Sequence, residues 1–216
     1  MNSGNEFAGA ARAIVETGRR LNRLGLAPAS AGNYSMRLSD QSIAVTVSGA
    51  HKGRLEESQV MRVSAAGEPL DGKKPSAETL LHCLIYEMDP SAAAVLHTHS
   101  VAGTVLSQAL RGADAIAFSD YEMIKVYPGV TTHEAAVVLP LVENCQDMAK
   151  LADSLRPFLA RPSPLPAFYI RGHGLYAWGP TLAQAENIVE GSEFLLSCGW
   201  ERMKLQKGKH DQAYRL

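Results

Sequence analysis

The segment Ala94–Val101, AVLHTHSV, sets two imidazoles two residues apart inside an apolar run. Alternate side chains of a strand share a face. Val95, His97 and His99 therefore point one way, and Leu96, Thr98 and Ser100 the other. Two imidazoles side by side are costly in a dry core unless something satisfies them. The pair alone fits two half-exposed strand histidines as well as it fits two metal ligands. A third histidine, His173, lies in the turn sequence Arg171-Gly172-His173-Gly174, where glycines permit a sharp bend and a close approach to a ligand. Two strand nitrogens and one turn nitrogen can make an open three-ligand site of the zinc type, with a position left for water or substrate. Imidazole also suits other divalent metals. His82, four residues after Glu78 in a helical pattern, reads as a hydrogen-bonded structural histidine.

The remaining periodicity predicts an α/β protein. Residues 6–25 repeat apolar positions at helical spacing, and SIAVTVSG alternates as a half-buried strand. SAETLLHCLIYEM predicts a helix opened by Ser76, and VAGTVLSQAL and NCQDMAKLADSLRPFL two more. HEAAVVLP predicts a strand, and AFYIRGHGLYAWG two strands around a turn at residues 172–174. TLAQAENIVEGSEFLLSCGWERMKL predicts a long helix with a capping-box start at Thr181 and Gln184. The proline-rich stretch 161–167 reads as a rigid surface loop. A chain of 216 residues can bury one good core. The expectation is a single domain over residues 1–216, with helices flanking a mainly antiparallel or mixed sheet.

A formal net charge of −1 gives no basic surface for nucleic acid or membrane. No apolar run is long enough to span a bilayer. The three cysteines lack CxxC spacing and the N-terminal stretch lacks a signal-peptide pattern, so the expectation is reduced thiols in a cytoplasmic protein.

Three short stretches carry anion-binding chemistry. Asn33 lies in SAGNYS, Ser48, Gly49 and Lys52 lie in TVSGAHKGRL, and Ser76 lies at a predicted helix start. Backbone amides in glycine turns and at helix N-termini bind phosphate, and hydroxyls and a lysine complete such a pocket. Two carboxylates stand nearby in sequence. Glu78 on spacing alone complements a helix dipole, and Glu122 pairs with Lys125 at i+3.

Taken in order, SAGNYS, VTVSGAHKGRL, KPSAETLLH, AVLHTHS and IRGHGLYAWG resemble the class II aldolase superfamily, which includes sugar-phosphate aldolases, 4-epimerases and the adducin head. The resemblance runs from about residue 10 to 204. YEMIK, NCQDMAKLA and RGHGLYAWG are most similar to its dehydratase branch in methionine salvage, which acts on 5-methylthioribulose 1-phosphate. That resemblance implies a three-layer fold and one Zn2+ per subunit on His97, His99 and His173. It implies substrate phosphate on the loops of Asn33, Ser48, Gly49 and Ser76; Lys52 is added from its position alone. It implies a homotetramer with active sites near subunit boundaries, and a phosphorylated ketose as substrate. In the dehydratases the glutamate of EMIK, here Glu122, is the expected acid/base. In the aldolases the glutamate after the proline-serine pair, here Glu78, does that work. An aldolase or epimerase would keep the histidines and rely on Glu78. An adducin-like interaction module would have lost them, and all three are present.

Overall fold

The computed structural model describes residues 3–161 and 165–213. Eight strands form one sheet: β1 (Asn33–Arg37), β2 (Ile43–Thr46), β3 (Val60–Val63), β4 (Ala94–Thr98), β5 (Ala115–Ser119), β6 (Ala136–Val142), β7 (Ala167–Ile170) and β8 (Gly174–Gly179). Their order is β3-β2-β1-β4-β8-β7-β6-β5. Only the β6–β7 pair is parallel. Five helices cover the sheet: α1 (Ser3–Arg23), α2 (Thr79–Met88), α3 (Val101–Ala109), α4 (Met148–Leu159) and α5 (Leu182–Ala213).

The alternation read from AVLHTHS decides the layers. Every residue of β4 is buried. Val95 packs with Trp178, Leu81 and Leu155 in the core under α2 and α4. Leu96 packs with Ile14, Leu106 and Ile188 in the core under α1, α3 and α5. Each fully buried side chain of this size contributes roughly 1.5–3 kcal/mol by leaving water, so a one-residue slip of β4 would be opposed from both sides. The result is the expected α/β arrangement in three layers.

Some elements differ from the sequence expectation. The loop predicted around SAGNYS ends in β1, and β3 and β5 appear where no strand was read. The helix predicted to open at Ser76 begins at Thr79, with Glu78 at its N-cap position. Ser76 lies in the preceding turn, its Oγ accepting from the Glu78 amide at 3.3 Å. Within the proline-rich stretch, residues 162–164 lie outside the described residues, and Ala167 already belongs to β7. Among the described residues, no helix is long and apolar enough to cross a membrane.

Candidate active site

Sheet register builds the site. His97 of β4 stands opposite Asn33 of β1 on one side and Tyr176 of β8 on the other. The fully buried His97 ring stacks on Tyr176 with centroids 4.0 Å apart. Its Nδ1 lies 2.9 Å from the Leu175 carbonyl oxygen. A carbonyl only accepts, so Nδ1 carries the proton and Nε2 presents a lone pair. That lone pair faces His99 Nε2 at 2.9 Å. His173 enters from the β7–β8 turn. Gly174 makes this approach possible: a Cβ there would lie 2.2 Å from the Thr98 carbonyl oxygen and 2.7 Å from His97 Cε1.

One candidate ligand atom from each of the three histidines lies within 4.8 Å of the others. Burial pushes the His97 pKa well below the ordinary value and His99 down to about 4. Both rings are therefore neutral, the form that binds metal. His173 Nδ1 is buried without a hydrogen-bond partner. Three converging imidazoles, with His97 and His99 held neutral, fit a divalent transition metal.

Glu78 occupies an N-cap position yet makes no side-chain capping bond. Its carboxylate turns inward instead. Oε1 lies 2.9 Å from His173 Nε2 and 3.6 Å from His97 Nε2. Oε2 accepts from Asn33 Nδ2 at 2.6 Å. Burial opposes ionisation, but the His173 hydrogen bond, the neighbouring His97 and His173 and the Asn33 amide outweigh it and hold the pKa at about 2. Glu122 sits elsewhere in the chain's contacts. It opens a 3-10 turn, is 71% exposed, and pairs with Lys125 at 2.5 Å and His133 at 3.3 Å.

The phosphate candidates divide. An isolated bridge between Val47 and Pro75 and a Ser48 N–H bond to Lys74 O at 3.1 Å bring the Ser48–Gly49 turn against the Ser76 segment. Gly49 is exposed with φ +74°, a conformation that favours glycine. Lys52 is buried, and its Nζ donates to Ser30 O at 3.0 Å and Ala50 O at 2.6 Å. It ties the loop before β1 to the loop after β2. Burial lowers its pKa to about 8, against the pull of Glu78. Asn33 engages Glu78 through its amide nitrogen and His82 through its amide oxygen. The sequence reading missed Tyr176 and the Asn33–His82 contact, because both depend on strand register. A cavity of about 1310 Å³, lined by Met123, Trp178, Gly179 and Phe194, includes none of these groups.

The fold and this histidine cluster define a class. Residues 12–199 match the family model described as "Class II Aldolase and Adducin N-terminal domain", and the chain belongs to that family. Within it the chain sits among the methylthioribulose-1-phosphate dehydratases. The protein of that name from Gluconacetobacter diazotrophicus is 50% identical over 209 residues, covering 96% of this chain and 100% of the relative. The one from Pseudomonas aeruginosa PAO1 is 47% identical over 195 residues, covering 90% and 95%. Among solved structures, YgbL from Escherichia coli aligns with TM-score 0.76 at 28% identity, over 89% of this chain and 88% of its own. An L-fuculose 1-phosphate aldolase shares the fold with TM-score 0.73 at 22% identity, over 93% and 87%.

Proposed function

We propose that this chain removes water from 5-methylthioribulose 1-phosphate to give 2,3-diketo-5-methylthiopentyl 1-phosphate, a step of methionine salvage, with Zn2+ held by His97, His99 and His173. The observation that carries the metal-dependent chemistry is an ionised carboxylate, Glu78, held 2.9 Å from one of three clustered histidines. The dehydratase relatives at 44–50% identity support the choice of reaction.

A bound divalent ion supplies Lewis-acid polarisation of the substrate C2 carbonyl, which acidifies the C3 proton. Glu78 takes that proton, leaving an enediolate across C2 and C3. The C4–O bond then breaks with its electron pair, and the departing hydroxyl needs a proton. Glu122 delivers it. Because Glu122 is exposed and engaged with Lys125 and His133 in its own chain, we assign it to the site of a neighbouring subunit in a homotetramer. The resulting enol tautomerises to the diketone. The Ser48–Gly49 turn and Ser76 hold the phosphate through amides and hydroxyls. Lys52 and Asn33 shape the pocket, Lys52 by clamping its loops and Asn33 by holding Glu78. The free thiols Cys83, Cys145 and Cys198 suit a reducing cytoplasm.

The second reading is aldol cleavage of a sugar phosphate, favoured by Glu78 rather than Glu122 standing at the histidines. Turnover of the methylthio ketose phosphate by zinc-loaded protein, followed by diketone appearance, separates them. Diketone formation supports the dehydratase; its absence, with cleavage of another ketose phosphate, supports the aldolase.

A further inference from the structure

Behind Glu78 runs a chain of buried polar groups of which the mechanism uses only the first, Asn33. Asn33 Nδ2 donates to Glu78 Oε2, and Asn33 Oδ1 faces His82 Nε2. His82 Nδ1 lies 2.7 Å from Ser35 Oγ, which lies 2.8 Å from the Tyr86 hydroxyl. His82 and Ser35 are fully buried, and Asn33 and Tyr86 nearly so. Two periodicities meet here. Asn33 and Ser35 are alternate residues of β1, on the face that α2 covers. His82 and Tyr86 are four apart on α2, one turn of helix.

Each link has one direction. The Glu78 carboxylate only accepts, so the Asn33 group facing it is the NH2. The Asn33 oxygen then faces His82 and only accepts, so His82 Nε2 carries the proton. His82 Nδ1 is left as an acceptor, which the Ser35 hydroxyl satisfies, and the Tyr86 hydroxyl donates to Ser35. Burial holds the His82 ring neutral, its pKa lowered to about 4 against the pull of Glu78. The ring also meets Tyr176 edge-on, with centroids 5.7 Å apart. With the opposite tautomer, two lone pairs would meet at Asn33 Oδ1. A flipped amide would move the conflict to Glu78, where two oxygens would face each other in a buried place.

We propose that His82 is a positioning residue for Glu78: its Nε2–H donates to the Asn33 oxygen and so fixes the amide with its nitrogen on one Glu78 oxygen and the other Glu78 oxygen turned toward the histidine cluster, while Ser35 and Tyr86 satisfy the far side of the ring. This rests on the reading of Glu78 as the base. His82 touches neither substrate nor metal in this role. It acts two bonds away, and its identity matters because a donor and an acceptor must stand on opposite sides of one rigid ring.

The test has a spectroscopic arm and a kinetic arm. Two-bond 15N–1H correlation spectra of zinc-loaded, 15N-histidine-labelled protein should show His82 as the Nε2–H tautomer; an Nδ1–H signal overturns the proposal. His82→Leu removes the donor, whereas His82→Gln keeps an amide N–H where Nε2–H stood. The Leu variant should retain one metal ion per chain and lose about 10- to 100-fold in kcat, the range for groups that orient site residues, with KM within about twofold. The Gln variant should recover most of that loss. A Leu variant with parental kcat, or a loss that Gln does not rescue, overturns the proposal. Should the Leu variant fail to fold, Asn33→Asp replaces it: the isosteric carboxylate cannot donate to Glu78, so the proposal expects a reduced kcat with one metal ion per chain retained, and a parental kcat overturns it. Glu78→Gln, assayed in parallel, separates the two readings. Full activity there sinks Glu78 as the base, whereas loss there beside a parental His82→Leu sinks only the positioning role.

Discussion

Nε2 of His97 and Nε2 of His99 face each other at 2.9 Å, and His97 is not the donor, because its proton lies on Nδ1 against the Leu175 carbonyl. A ring locked in this tautomer presents a fixed lone pair to whatever fills the space between the histidines. An ion satisfies all three rings at once. Metal-stripped protein is therefore expected to be inactive and to regain activity on addition of one ion per chain. Thermal unfolding should also shift upward with metal, since an ion at about 100 times its Kd adds about 2.7 kcal/mol to the folded state. His99→Ala should abolish both effects. Stripped protein that keeps full turnover would defeat the metal reading.

The two carboxylates differ in environment, and their variants should differ in kind. Glu78→Gln keeps the shape of the side chain and removes the carboxylate charge beside His173. With Glu78 as the proposed base, it should lower kcat by about 10²–10⁴-fold, the usual worth of general acid–base catalysis, with the metal content of the parent protein unchanged. Glu122→Gln should also lower kcat if the proton for the C4 oxygen comes from a second chain. Mixing the two inactive variants then tests the subunit boundary. Co-assembled chains place an intact Glu78 beside an intact Glu122 in some sites, so activity should reappear. No recovery, with mixed tetramers demonstrated by native mass spectrometry, would remove Glu122 from the neighbour's site.

Much of the fold was legible because its signals are local. AVLHTHS alternates, its neighbour β8 carries an apolar run, and α1 and α5 have clear helical patterns. β1 was hidden because NYSMR buries Asn33 and Ser35 for the sake of a hydrogen-bond chain rather than packing; polar residues in a short strand look like a loop. β3, VMRV, has three buried residues and no alternation, and the alanines of β5, AIAFS, mask the alternation of buried Ile116 and Phe118. The three histidines stood out by motif. The company they keep did not, because Asn33, Tyr176 and Glu78 meet them through register and a helix end, and neither is written in spacing along the chain. Glu78 reads as a dipole-complementing residue on spacing, and only the structure shows its carboxylate turned away from the helix amides.

Gly174 tests whether the close β4–β8 contact matters to the site. A methyl there would meet the Thr98 carbonyl oxygen and His97 Cε1, neither of which moves without disturbing the sheet. Gly174→Ala should cost roughly 1–3 kcal/mol, the range for overpacked interiors, and should weaken metal affinity more than an unrelated substitution of equal cost. Gly9→Ala is the control: nothing lies within 4 Å of its added methyl, and it sits in α1. It should be neutral or stabilising by up to about 1 kcal/mol. Equal metal affinity in both variants, measured by competition with a chelating dye, would show that the site tolerates the displacement.

Glu193 of α5 lies under the metal strand, 5% exposed, with Oε1 accepting from Thr98 Oγ1 at 3.0 Å and Oε2 unpartnered. Burial raises its pKa from 4.5 to about 7, with the Ser100 and Thr98 hydroxyls opposing. The folded protein thus holds a proton on Glu193 that the unfolded chain releases near its ordinary pKa. Between about pH 4.5 and 7 the folded state binds more protons than the unfolded state, so this group makes stability fall as pH rises. Below that window both states are protonated and nothing is lost; above it the full cost, on the order of 3 kcal/mol, persists. Glu193→Gln cannot ionise and keeps an oxygen for Thr98. Measured on metal-stripped protein by urea unfolding, the variant should track the parent in stability near pH 4.5 and become progressively more stable than it up to pH 7, with a constant gap beyond. All other titrations are shared and cancel in the difference. Curves that stay parallel across the whole range would mean that Glu193 is ionised in the folded protein, with its charge met by a partner in solution.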